Sequence, residues 1–140
     1  MTPTTLEALQ ARLVAWAVSI SGREVVVEDE GGPQPAAPFV SLSLRRCTPF
    51  EHDRVGVSRE AERVSTLCQV RWRVTLFGGA ALTDASRLRA SVWSAQRWWD
   101  LWLLSGLGSV SPINNLSALE TGRIRARAEF QLTLNAVLAC

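Results

Sequence analysis

The side chains able to do acid–base, nucleophilic or metal chemistry are few and scattered. His52 is the one histidine of the chain, in a polar stretch between Glu51 and Asp53. A general base needs an orienting partner and a pocket, and a metal ligand needs companions at set spacings. The sequence around His52 shows no ligand spacing and no sign of a pocket, so it reads as a solvated loop histidine. Glu28, Asp29 and Glu30 could gather around a cation, but neighbouring strand residues point to opposite faces, which favours a strand end in water. The three cysteines, Cys47, Cys68 and Cys140, form no metal-ligand spacing. Their odd number, without a signal peptide, points to reduced thiols and synthesis in the cytosol. The pairs Gly31-Gly32 and Gly78-Gly79 match no phosphate-binding loop, and no serine sits in a GxSxG setting. The expectation is a protein that is not an enzyme and has no catalytic residue, cofactor or metal.

Arginine is the chemistry the chain does have. All fifteen basic residues are Arg, the cation whose planar fork matches carboxylates and phosphates. Five of them fall on alternating segments. Arg71 and Arg73 share the face opposite Val70, Trp72 and Val74, while Arg123, Arg125 and Arg127 oppose Ile124, Ala126 and Ala128. If those strands pair, five guanidiniums crowd one surface, and like charges directly opposite destabilise a sheet. Three neutralisers stay open: the chain's own acids such as Glu120 and Glu129, a neighbouring subunit's carboxylates, or phosphate. The Glu28, Asp29 and Glu30 strip is the plausible complement in the second case. The formal net charge of +2 is too small to imply nucleic-acid binding by itself.

Periodicity supplies the elements that must carry these residues. Thr4 and Glu7 have capping-box spacing, and Leu6, Leu9, Leu13, Trp16, Ala17 and Ile20 then recur at helical intervals up to a stop at Gly22. Val25 to Val27 reads as a strand, and the proline-rich stretch to Pro38 as a surface loop. Phe39–Arg46 and Val64–Leu76 alternate, and between them lies a polar segment that includes Val55 and Val57. It reads as a long hairpin arm, about 47–63, turning near Ser58 to Ala61. Eighteen extended residues from Val40 would reach roughly 60 Å, beyond a body about 35–40 Å across. The arm therefore either bends at a bulge near Thr48-Pro49 or leaves the body. A second helix is predicted from an N-cap at Thr83 to about Leu104. Its stripe is Ala85, Leu88, Val92, Ala95, Trp99 and Leu103. Ser109 to Leu119 reads as an edge strand or irregular connection, and a last strand runs from Arg123 through Asn135 with Ile124 on its core side.

Six tryptophans, five of them between Trp72 and Trp102, raise the possibility of base stacking. Their spacing fits core packing better, with a subunit interface next. At 140 residues and 47% hydrophobic the chain suits one domain, 1–140. No apolar run is long enough to span a bilayer, so no membrane association is expected. The fold class expected is α+β. It has a mixed, mostly antiparallel sheet, two main helices on one face and a long protruding β-hairpin.

Several short blocks, in order, resemble the phage neck terminator-like family. They are PAAPFVSL from Pro35 to Leu42, VTLFG from Val74 to Gly78, Gly106 to Val110 followed by Asn115 to Leu119, and Arg127 to Phe130. The chain departs from the family's usual aromatic near Ile124 and acid near Gln131. The resemblance implies a tail-terminator type of fold and a homo-oligomeric ring, commonly sixfold, in the virion neck. That ring caps the tail tube, meets head-closure proteins and uses no cofactor, and its lumen is a candidate route for non-specific DNA passage. The particle would be assembled in the host cytoplasm. On this reading Arg71, Arg73, Arg123, Arg125, Arg127, Glu28, Asp29, Glu30, Val55 and Val57 are candidate subunit-interface residues. The other readings are a head-completion adaptor nearer the portal and, in a different class, a small nucleic-acid-binding module.

Overall fold

The computed structural model describes residues 3–28, 34–58, 63–94 and 105–139, with backbone alone at 51–58, 63–64, 120 and 139. The α+β class expected from the sequence is found. Helix α1 (Leu6–Ser21) buries Leu9, Leu13, Trp16, Ala17 and Ile20, the stripe that the spacing predicts. Its N-cap is Thr5, not Thr4: the Thr5 Oγ1 accepts from the Ala8 N–H at 3.1 Å. Thr4 is drawn off by the sheet, where its N–H donates to Val137 O. Gly22 ends the helix at φ 67, its N–H donating to Val18 O, because a left-handed cap costs least without a Cβ.

Strand β1 (Glu24–Val27) pairs parallel with β2 (Phe39–Ser58), which pairs antiparallel with β3 (Arg63–Phe77). After α2 (Ala81–Ser91) come β4 (Gly106–Val110), β5 (Asn114–Asn115), β6 (Ala118–Glu120), β7 (Arg123–Arg125) and β8 (Arg127–Ala139). The main sheet runs β1-β2-β3-β8-β4, with β5 also on β8. Val40, Leu42, Val70, Trp72, Val74, Leu76, Phe130, Leu132 and Leu134 form its inner face and are buried with the two helices in one core.

The hairpin of β2 and β3 is longer on one side than the other. From Phe39↔Phe77 to Ser58↔Arg63, β2 advances nineteen residues and β3 fourteen. Shifts at Leu44/Arg46, Pro49/Arg54 and Arg54/Gly56 absorb the five extra residues. Bulges of this kind bend a strand and raise its twist, and the shift that opens at Pro49 falls where the sequence offers a bulge as one of its two alternatives for the arm. β8 follows β3 as far as Ser65↔Ala139, leaving only the pairs Val57↔Val64 and Ser58↔Arg63 beyond it. The turn predicted near Ser58 to Ala61 lies mostly outside the described residues.

Two predicted elements are corrected. α2 starts at Ala81, with Thr83 inside its first turn, and its regular hydrogen bonding stops at Ser91. There Val92, Trp93 and Ser94 donate to Arg89, Ala90 and Ser91, the three-residue spacing that tightens and closes a helix end. Ala95, Trp99 and Leu103 of the predicted stripe lie outside the described residues. The last strand is two strands: β7 leaves the main sheet and pairs with β6 in a separate ribbon, through Leu119↔Ile124. Ile124, expected on the core side, is 77% exposed. The turn between them, Thr121-Gly122, has positive φ at both residues, as the type I′ turn of a two-residue hairpin requires.

Candidate subunit interface

The outer face of the sheet begins with small polar residues. Ser41, Ser43, Thr75 and Thr133 are buried there rather than solvated. Over them lies a chain of charges. The Ser41 hydroxyl donates to Glu28 Oε1 at 2.8 Å, Glu28 Oε2 lies 3.5 Å from an Arg73 nitrogen, and Arg73 Nε lies 3.9 Å from Glu129. The last distance is an ion pair too long for a hydrogen bond. The Ser41 hydroxyl first, and then the Arg73 charge, hold the Glu28 carboxyl below the ordinary glutamate range, against the opposing effect of partial burial. Of the candidate neutralisers, the chain's own acids therefore serve Arg73.

Arg71 is served differently. It stands opposite Arg46 on β2 and Thr133 on β8. Neither Arg46 nor Arg71 forms an ion pair with a described residue. The bulge at Leu44/Arg46 creates this like-charge pair by shifting Arg46 onto the outer face. Alternation alone places Arg45 there, so the sequence reading missed it.

The five arginines do not crowd one sheet. Arg127 lies over the Phe77 ring at 5.0 Å, and Phe77 stacks on Phe39 at 4.7 Å. Arg123 and Arg125 sit on the ribbon, exposed, where β7 has left the main sheet. Val55 and Val57 lie on the distal part of β2, and Asp29 and Glu30 fall outside the described residues. Among the described residues no cluster of His, Cys, Asp and Glu could hold a metal ion. No helix there is long and apolar enough to cross a membrane.

A family model described as phage neck terminator protein matches residues 5–138. The chain belongs to that family. It is a structural component of the phage neck, and the match spans both helices and nearly all of the sheet. No curated protein matches it.

In this neck protein one buried ion pair fixes the elements that carry the outer face. Arg23, 7% exposed, lies directly after α1. It donates through Nε to Asp84 Oδ2 at 2.9 Å and through an Nη to Phe77 O at 3.1 Å, and its other Nη is 2.7 Å from the same carboxylate. One guanidinium thus joins the end of α1, the first turn of α2 and the end of β3. Ala80, the N-cap of α2, makes no side-chain cap bond, and Asp84 puts an acid in that first turn, where the helix dipole favours it. Sequence reading gave Arg23 no role. Its position just past the glycine stop was the available signal.

Proposed function

We propose that this chain is a ring-forming tail terminator, one copy in a neck ring that caps the tail tube and joins it to head-closure proteins. The observation that carries this reading is the Arg46–Arg71 pair, two like charges on adjacent strands with no described counter-charge. Such a pair destabilises an isolated sheet and suits a surface that meets an acidic neighbour, where arginine is enriched. A head-to-tail contact between identical subunits closes into a ring when its rotation allows. The nucleic-acid reading is weaker, because Arg73 is already bracketed by Glu28 and Glu129, so the outer face is not an unbroken cationic track.

Mass measurement of the purified protein, alone and with tail tubes, tests the proposal. A closed oligomer in either setting is the expected result. A chain that stays monomeric in both and binds DNA with a steep salt dependence supports the other class and rejects the ring.

A further inference from the structure

Among the described residues the β6–β7 ribbon pairs with no other strand. It has three residue pairs, and a two-stranded ribbon is marginal in water unless something covers a face. Its cross-strand pair Leu119 and Ile124 is 73% and 77% exposed. Ala118, Arg123 and Arg125 belong to the other side by alternation. The ribbon joins β5 through Leu116-Ser117 and β8 through Ala126, so it belongs to the β8/β5 side of the main sheet.

The opposite edge of that sheet has the complementary pattern. β1 ends the strand order, and among the described residues nothing pairs with its outer side. Its register puts Val25 and Val27 level with Val40 and Leu42 on the inner face, and Glu24 and Val26 level with Phe39 and Ser41 on the outer face. Glu28 follows on that outer side, bonded to Ser41. The edge therefore reads acid, valine, acid on one face and two half-buried valines on the other. β7 reads arginine, isoleucine, arginine.

Resting on the ring reading above, we propose that β7 of one copy adds as a strand to the β1 edge of a second copy. Ile124 then lies beside Val25 or Val27, and alternation delivers Arg123 and Arg125 to the face of Glu24 and Glu28. In that register one arginine stands opposite a carboxylate and the other beside Val26, between the two acids. A slip of one residue would put arginine against the valine face, so side-chain alternation selects the register. Main-chain hydrogen bonds supply affinity in such strand addition, and alternate side chains supply specificity. Ribbon and edge are different surfaces of the same chain, which makes the contact head-to-tail.

Mixing two variants tests this. Ile124→Asp spoils the ribbon and keeps the edge; Glu24→Arg spoils the edge and keeps the ribbon. Both positions are exposed, and circular dichroism checks that each variant folds; Leu119→Asp is the second ribbon variant. Alone, each variant is expected to need roughly tenfold more protein to assemble. Mixed, the two form pairs, because one intact ribbon meets one intact edge. Assembly of Ile124→Asp and Leu119→Asp at the unaltered concentration overturns the proposal, as does a mixture that stays monomeric. Loss of binding to a different neck protein with self-assembly intact also overturns it. An unaltered chain that never assembles, alone or on tails, rejects the ring reading itself, a result distinct from these.

Discussion

Glu28 joins two roles in one side chain. It accepts the Ser41 hydroxyl and lies beside Arg73, and both contacts favour the ionised carboxylate. Its folded pKa lies below the ordinary value of 4.5, so the folded state releases its proton more readily than the unfolded chain. The stabilisation is fully present above the ordinary range and fades as pH falls through the lowered folded value. The side chain is 42% exposed, and solvent screening keeps the contribution below about 1 kcal/mol. Glu28→Gln should therefore lower the melting temperature slightly at pH 7 and converge on the unaltered protein in strong acid. Thermal melts across that range check it; a constant difference at every pH contradicts the assignment.

The elements depend on contacts that no periodicity reveals. Removing Asp84 strands the Arg23 guanidinium at the junction of α1, α2 and β3. Breaking a buried pair from one side leaves an uncompensated charge, so Asp84→Ala should destabilise on the order of 3 kcal/mol, measured by denaturant unfolding. Arg87, 3.8 Å from Asp84 on the exposed side, offers a comparison: Arg87→Ala should cost well under 1 kcal/mol. The elements themselves were largely legible. The α1 stripe, the Gly22 stop and the alternation of β3 follow from side-chain period and glycine freedom, whereas chain reach left a bulge in β2 and an arm leaving the body as equal alternatives. The break between β7 and β8 did not. Arg123 to Asn135 alternates without interruption in sequence, and alternation records which face a residue takes, not which strand it pairs with. The signal for a separate ribbon was Thr121-Gly122, a tight-turn dipeptide directly before Arg123. The end of α2 was hidden for a related reason, since apolar residues continue past Ser91 while the backbone bonds change spacing.

At the scale of the whole molecule, the described residues of the sheet balance one charge and leave another open. Arg73 has Glu28 and Glu129 within the subunit, whereas Arg46 and Arg71 face each other. A like-charge pair costs the isolated subunit a few tenths to about 1 kcal/mol, and that cost disappears when a neighbour supplies carboxylates. Stability of the single copy and strength of assembly should then move in opposite directions on one substitution. Arg46→Glu turns the cross-strand pair into opposite charges, so it should stabilise the monomer by a few tenths to about 1 kcal/mol. It should also weaken assembly, because the outer face then presents an acid to an acidic neighbour. Denaturant unfolding of dilute protein reads the first effect, and mass measurement across a concentration series reads the second. Raised monomer stability with undiminished assembly would mean that the Arg46–Arg71 face looks toward water, not toward another subunit.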